Sequence, residues 1–423
     1  MPRRRTVALA ILVLLLIAAA PFVPRSHGPE GAMTPSDGSP RATSGDAWGA
    51  VTPAMQAEID RVVADGLAQP SGSGKAAPEQ LAARQVRCAT FEGLTYCLHV
   101  GWTDQSPAAA RTEVASAART SYAGKAATTV VNTGDLDPLA ALDKTARLSP
   151  EARAAQERAE LVAAARSVAK VWVIRHEIEG VPYPRGFLAR HPEALALMRS
   201  APVSAAKPSA SASSSPSPTA AAATPPRTTK PGYDDYPGRD KVLSSDQVAE
   251  QSRSYWCGPT STQMIVWGWT DERVRQGTWA HRLGTTGNGT DIGSIVRVVN
   301  KYTGWDRKDH AGPYITLDIG KYRYKKWYTL VMRHIHDYEA PIVMHPILLK
   351  RYFSYLAGDA SGHYQVGRGY AKRGDKPDLV GYFEPWNQRR FDPSEPFIKR
   401  VQWHLAYQSF RANKAHPYHN IGV

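Results

Sequence analysis

The sequence predicts an α+β fold for the C-terminal half of the chain, preceded by a separate and mainly helical N-terminal region. In the C-terminal half, a helical pattern begins at Cys257 and another follows a glycine-rich loop, whereas later residues alternate like strands around Tyr364 and Tyr370. Helices followed by antiparallel strands are typical of an α+β domain. Between the two parts, residues 200–232 are rich in Pro, Ala, Ser and Thr. This stretch lacks the apolar side chains that offset the entropy of ordering, so it is predicted to be a linker.

The first residues determine the expected compartment. A cluster of three arginines at residues 3–5 precedes an apolar run over residues 7–20, as in a secretory signal. Residues 1–24 are therefore predicted to be a signal peptide or a signal anchor. Both remain open, because the cleavage site is crowded by prolines and the apolar run is near the lower length limit for crossing a bilayer. Residues 25–46 are predicted to be a flexible tether. The expected location is secreted, or anchored at the outer face of the cytoplasmic membrane.

The N-terminal region is assigned to residues 47–199. A Thr-Pro and a Ser-Pro pair predict helix starts at Thr52 and Ser149. Cys88 and Cys97 lie in two short β-like runs, which predict a hairpin closed by a disulfide in an oxidising compartment. The role of this region is open, and a pro-region or regulator of the C-terminal domain is one hypothesis.

The C-terminal block, residues 233–423, carries further predicted elements. Its second helix is expected to be capped by Asp291, after the loop "GTTGNGTD". That loop lacks the pattern of a phosphate-binding loop, and it is predicted to be a turn beside a substrate cleft. The stretch "YKKWYTLVMRHIHDYEAPIVMHP" is expected to form a helix followed by a short strand, and the strand covers residues 340–345. Two successive strands follow in "SGHYQVGRGYA" and "DLVGYFEPWN".

The third cysteine, Cys257, is left without a disulfide partner. It is either a buried core cysteine or a nucleophile whose pKa is lowered by a helix N-terminus. The second alternative needs further groups. Two oxyanion donors would come from the Cys257 N–H and from the side-chain amide of Gln251, six residues earlier. His363 would exchange the proton, and Glu384 or Asn387 at the end of the next strand would hold its Nδ1–H.

The order "Q-x5-CGPTS", "GHYQVGRGY" and "YFEP" resembles the papain-like cysteine peptidases. In particular, it is similar to the double-glycine peptidase family, which processes bacteriocin leaders, and to its exported actinobacterial relatives. The resemblance spans residues 246–387 and implies a papain-like fold and peptide-bond hydrolysis through a thioester. It implies Cys257 as nucleophile, His363 as general base and acid, and Gln251 as oxyanion donor. Glu384 stands where the family usually has aspartate, and Asn387 is the alternative third member.

The net charge and the positions of the histidines indicate which partners and ligands to expect. The formal net charge of +14 favours anionic surfaces, but the basic residues are scattered, so no nucleic-acid partner is expected. The expected partner is a peptide or protein substrate, with cell-wall peptides as one class. No cofactor or metal is expected, because His334 and His336 would point to different faces of a helix. His416 and His419, near the C-terminus, are expected to be solvated.

Two other functions are compatible with the same sequence. A papain-like scaffold could have lost activity and act as a binding module at the cell surface. An amidase acting on peptidoglycan stem peptides would use the same catalytic residues. Only assays on substrates separate these alternatives from a peptidase.

Overall fold

The computed structural model describes residues 49–68, 76–127, 131–199, 232–303 and 313–423. The predicted signal segment (residues 1–24), the tether (residues 25–46) and nearly all of the linker lie outside the described residues. Within the described ranges, no helix combines the length and apolar character that crossing a bilayer requires.

The N-terminal region is mainly helical, as predicted. Its helices are α1 Pro53–Leu67, α2 Pro78–Gln85, α3 Pro107–Ala127, α4 Pro138–Ala146, α5 Pro150–Arg166, α6 Val168–Ile174, α7 Phe187–Arg190 and α8 Ala194–Arg199. The Thr52 hydroxyl accepts the N–H of Met55 at 3.2 Å and the Ser149 hydroxyl accepts that of Ala152 at 3.2 Å. Both side chains therefore cap their helices, and the two predicted helix starts are confirmed.

A three-stranded unit interrupts these helices. Its strands are β1 Cys88–Phe91, β2 Leu94–Cys97 and β3 Gly101–Thr103. The turn between β1 and β2 has positive φ at Glu92 (48°) and Gly93 (81°), as tight hairpins require. Cys88 and Cys97 lie directly opposite each other and form the predicted disulfide.

The C-terminal part mixes helices and short strands. Its elements are β4 Arg239–Lys241, α9 Cys257–Thr270, α10 Gln276–Leu283, α11 Ile292–Thr303, β5 Thr316–Asp318, α12 Tyr324–His336, β6 Ile342–Met344, β7 Gln365–Ala371, β8 Leu379–Phe383, β9 Val401–Leu405, α13 Ala406–Lys414 and β10 Asn420–Gly422. Asp291 caps α11 through Oδ1, which accepts the N–H of Ser294 at 2.7 Å. The predicted α+β character, the helix at Cys257, the short strand within residues 340–345 and the two later strands are confirmed.

One sheet joins both parts of the chain. The strand order is β1-β2-β3-β5-β10-β6-β7-β8-β9, with β4 on β7. The junction is the parallel pairing of β3 with β5, at Trp102 opposite Leu317. The hydrophobic core is also shared, and Trp102 is only 1% exposed within it. Residues 47–199, which the sequence predicts to be a separate region, contribute β1, β2 and β3 to the sheet that contains the C-terminal strands.

Helix α9 packs across this sheet and positions the site. Its buried face includes the predicted residues Ser261, Met264 and Ile265. The Ser261 hydroxyl donates to the carbonyl of Tyr364, just before β7, at 3.2 Å. The N-terminus of α9 therefore lies beside the start of β7, which follows His363 in the chain.

Candidate active site

Cys257 is the first residue of α9 and its side chain is fully buried as a free thiol. Its sulfur accepts hydrogen bonds from the backbone N–H groups of Tyr364 and Gly258. Since Tyr364 directly follows His363, the thiol lies against the part of the chain that carries the imidazole. The structure thus brings the two predicted residues to the same place.

The electrostatics of the thiol differ from the expectation. Burial raises the pKa of Cys257 well above its ordinary value, and the negative charge of Asp135 raises it further. The hydrogen bonds from Tyr364 and Gly258 lower the pKa but do not offset the burial. The expected lowering by the helix N-terminus is therefore wrong for this state, in which the thiol is kept protonated.

His363 and Glu384 form a buried pair. The Nε2–H of His363 donates to Oε1 of Glu384 at 2.8 Å, and both side chains have no exposed surface. The sequence analysis assigned this contact to Nδ1, whereas the structure uses Nε2. Among the described residues, Nδ1 of His363 has no hydrogen-bond partner. That nitrogen is therefore the one that can accept a proton from a thiol.

Glu384 is held by further donors. Oε1 also accepts the N–H of Trp386 at 2.9 Å, and Oε2 accepts the hydroxyl of Tyr355 and Nε2 of Gln365, each at 2.7 Å. Burial opposes ionisation, but the His363 ring and these hydrogen bonds hold the pKa of Glu384 below its ordinary value. Tyr355 and Gln365 are functional residues that the sequence motifs do not indicate. The position of Gln365, two residues after His363 in a strand, was the available signal, because both side chains share one face.

The alternative third member, Asn387, lies elsewhere. Its Oδ1 accepts the backbone N–H of Arg389 at 3.2 Å in a local turn. The side chain that contacts His363 is Glu384. Of the two candidates for the third member, Glu384 is therefore the one that lies beside the histidine.

The two predicted oxyanion donors meet at one atom. The carbonyl oxygen of Thr133 lies 3.3 Å from Nε2 of Gln251, which is also near the carbonyls of Arg253 (3.0 Å) and Ser254 (2.7 Å), and it accepts the backbone N–H of Cys257 at 3.4 Å. The backbone N–H of Gln251 is fixed in turn by the carbonyl of Pro385 at 3.0 Å. Thr133 belongs to the N-terminal region, so a carbonyl of the chain itself fills the predicted oxyanion position.

We call residues 131–136 the cleft segment, because they run through this site between two loops. On one side, the N–H of Ser361 donates to the carbonyl of Val131 at 3.1 Å. On the other side, the N–H of Thr290 donates to the carbonyl of Gly134 at 2.8 Å. The cleft segment is therefore held through its backbone on both sides.

The glycine-rich loop before Thr290 forms the predicted turn. Thr286 and Gly289 exchange two backbone hydrogen bonds, at 3.2 and 3.0 Å. This turn carries Thr290 to the cleft segment. A role of the turn in substrate binding stays a prediction.

The carboxylate of Asp135, in the cleft segment, lies in a cluster with two histidines that the sequence does not predict. Its Oδ1 accepts Nε2–H of His345, its Oδ2 accepts Nε2–H of His416, each at 2.7 Å, and all three side chains are buried. The expectation that His416 is solvated is therefore wrong. No local pattern could reveal this cluster, since more than 200 residues separate Asp135 from either histidine.

This cluster has the residue types of a metal site, but its hydrogen bonds indicate another arrangement. Nδ1 of His416 accepts the N–H of Tyr418 at 3.2 Å. Because burial lowers the pKa of His416 to about 4, the ring is neutral at pH 7 and its one proton sits on Nε2, facing Asp135. That nitrogen therefore acts as a hydrogen-bond donor to the carboxylate.

Comparison with known proteins adds one match. Residues 242–411 match the Peptidase_C39 like family. No curated protein and no solved structure matches the chain. The matched range includes Gln251, Cys257, His363 and Glu384, and it excludes the cleft segment.

Proposed function

We propose that the protein is an exported cysteine peptidase that hydrolyses peptide bonds through a thioester, because residues 242–411 match the Peptidase_C39 like family. The observation that carries this proposal is the convergence of Gln251 Nε2 and the Cys257 N–H on a single carbonyl oxygen. Two donors aimed at one peptide carbonyl are what stabilisation of a tetrahedral intermediate requires.

The chemistry follows from the proposed roles. Nδ1 of His363 takes the proton of Cys257, and the thiolate attacks the carbonyl carbon of the peptide bond. The carbonyl oxygen becomes an oxyanion held by Gln251 and the Cys257 N–H. His363 then returns its proton to the leaving amine as the C–N bond breaks, which leaves the acyl group on sulfur. A water molecule, deprotonated by His363, attacks the thioester and releases the carboxylic acid.

Glu384 positions and supports His363 in this scheme. A carboxylate on Nε2 fixes the ring and leaves Nδ1 available to take the proton of the thiol, and it stabilises the imidazolium that forms when the proton moves. The four hydrogen bonds that Glu384 accepts keep it ionised in its buried setting.

The substrate is a peptide or a protein outside the cell, and cell-wall peptides are one class that the net charge of +14 would attract. Export is supported by the arginine-rich and apolar start of the chain. It is also supported by the disulfide between Cys88 and Cys97, since such bonds persist in oxidising compartments.

The test is peptide hydrolysis by the full chain, with a diverse peptide library and products identified by mass spectrometry. Cys257→Ala should abolish cleavage, and Ser252→Ala should leave it at the wild-type rate, because Ser252 is exposed and lies nearby in the chain. Cleavage that persists unchanged in Cys257→Ala would contradict the proposal.

A further inference from the structure

The cleft segment lies in the site as a bound peptide would. Its backbone bridges to Ala360 on one side and to Thr290 on the other, and its Thr133 N–H donates to the Ser361 hydroxyl at 3.0 Å. Main-chain hydrogen bonds of this kind are a common way to bind an extended peptide. Since the Thr133 carbonyl meets the two oxyanion donors, the bond between Thr133 and Gly134 occupies the position of a bond to be cut.

The residue after that carbonyl has no room for a side chain. Gly134 has φ +111°, and a Cβ atom there would overlap the backbone carbonyl of Tyr255. Gly289 on the opposite loop also has a positive φ (+117°), and a Cβ on it would overlap the carbonyl of Gly134. The cleft therefore accepts glycine at this position.

The next residue, Asp135, enters a pocket of hydrogen-bond donors. Nε2 of His345 and Nε2 of His416 lie 2.7 Å from its two carboxylate oxygens, and the one hydroxyl proton of Tyr364 is shared between Oδ1 at 2.9 Å and the carbonyl of Thr290 at 3.0 Å. Charge-assisted hydrogen bonds of this kind are stronger than neutral ones. We call these three side chains the carboxylate pocket.

The ring of His345 has a second contact, which fixes its position in the pocket. Nδ1 of His345 lies 2.7 Å from Oδ1 of Asn420, and the amide nitrogen of Asn420 donates to the carbonyls of His99 and Val100. The amide orientation is thus fixed, and Asn420 presents an acceptor to His345. The ring of His345 is therefore held between the carboxylate of Asp135 and the side-chain amide of Asn420.

The backbone next to His363 leaves space for this carboxylate. A Cβ atom on Gly362 would overlap Oδ2 of Asp135 and press on the ring of His416. The glycine before the candidate catalytic histidine therefore belongs to the carboxylate pocket.

We propose that the carboxylate pocket is a specificity subsite of the cleft, and that the cleft segment occupies the cleft as an internal, substrate-like peptide. On this basis, which rests on the proposed peptidase function, the substrate carries glycine after the cleaved bond and an acidic residue at the following position. The contacts of Asp135 with the carboxylate pocket hold the cleft segment in place. The cleft segment then covers Cys257 until it is displaced.

The burial of the Cys257 thiol agrees with a cleft segment that covers it. Cys257 and Thr133 have no exposed surface, so a peptide cannot reach the sulfur while the cleft segment is seated. A peptide with the same recognition features would compete with residues 131–136 for the site.

The test measures access to Cys257 in the full chain by the rate of alkylation with iodoacetamide, followed by intact-mass spectrometry. Cys257 is the one free thiol among three cysteines. Asp135→Asn should raise the labelling rate about tenfold or more, because an amide has one acceptor oxygen whereas the carboxylate accepts from both His345 and His416. Asp137→Asn is the matched control, since Asp137 caps α4 and asparagine caps helices equally well.

A synthetic peptide of residues 129–138 should restore the protection of Cys257 in Asp135→Asn. The same peptide with asparagine at position 135 should not. Equal protection by both peptides, or an unchanged labelling rate in Asp135→Asn, would overturn the proposal. If Asp135→Asn does not fold, Tyr364→Phe removes one donor to the carboxylate and should give a smaller rise in labelling. Alkylation requires no catalysis, so absent hydrolysis would refute the peptidase function and leave this result standing.

Discussion

The carbonyl oxygen of Thr133 lies 3.4 Å from the backbone nitrogen of Cys257 and accepts its hydrogen bond. The same oxygen accepts the side-chain amide of Gln251 at 3.3 Å. Thr133 comes from outside the range that matches the peptidase family, so the N-terminal region completes the closed site. This relationship links the proposed chemistry to the proposed covering of Cys257 by the cleft segment.

Glu384 should matter for turnover and Asn387 should not. We expect Glu384→Gln to lower kcat/KM by about 10²- to 10⁴-fold, because the charge that stabilises the His363 imidazolium is lost. Asn387→Ala should stay within about threefold, since its amide contacts only the local turn at Arg389. Steady-state kinetics on one peptide substrate check both. A larger effect for Asn387→Ala than for Glu384→Gln would assign the third role to Asn387.

Gly134→Ala should activate the full chain. The added Cβ atom would overlap the carbonyl of Tyr255 at a positive φ, so the cleft segment cannot stay seated. A penalty of about 1–2 kcal/mol for such a conformation corresponds to roughly a tenfold rise in the initial rate of peptide hydrolysis. Gly358→Ala is the control, because a Cβ atom there meets nothing within 4 Å. An unchanged rate in Gly134→Ala would mean that the cleft segment does not limit access.

His416 should make stability fall in mild acid. Burial lowers the pKa of His416 from 6.5 to about 4. Between these pH values, His416 is therefore protonated in the unfolded chain and neutral in the folded chain. The contribution of His416 is therefore complete above pH 6.5 and is lost as pH falls towards 4. We expect this group alone to lower the free energy of unfolding by about 2 kcal/mol between pH 7 and pH 5.

Urea unfolding at the two pH values measures this loss. His416→Gln should flatten the pH dependence, while His281→Gln, at an exposed position on α10, should reproduce the wild-type slope. A wild-type slope in His416→Gln would show that His416 is not held neutral in the folded chain.

Residues 233–423 should not be soluble alone. Removing the N-terminal region would uncover the edge of β5, which pairs with β3, and the apolar surface that buries Trp102. Exposed strand edges and apolar surface promote aggregation. By contrast, a full chain cut once at a protease site inserted between residues 201 and 231 should elute from gel filtration as a single particle. A monomeric, cooperatively folded fragment of residues 233–423 would contradict this expectation.

The sequence predicts the local elements well and the long-range ones poorly. Thr52, Ser149 and Asp291 are capping residues whose signals lie within four positions of their partners, and all three are confirmed. The pairing of β3 with β5 leaves no such signal, because β3 has only three residues and its partner is more than 200 positions away. The linker composition separated the two parts in the sequence, although the sheet joins them.

The site shows the same division. Gln251, Cys257, His363 and Glu384 are predictable because they stand in a recognisable order, and the structure brings them together. The cleft segment is not predictable, since its contacts at the site are with partners more than 100 residues away. The raised pKa of Cys257 also depends on this segment, so a helix N-terminus alone gave the wrong direction.

Detecting an acyl-enzyme is the most direct test of the central claim, which is that Cys257 is the nucleophile of a peptidase. The Gly134→Ala chain is incubated with an activated ester of a blocked peptide, quenched in acid and analysed by intact and peptide-level mass spectrometry. The account predicts one acyl group, located on the peptide that contains Cys257 and absent from a Gly134→Ala/Cys257→Ala chain. Turnover of the ester at an equal rate by both chains, with no acyl group on Cys257, would contradict it.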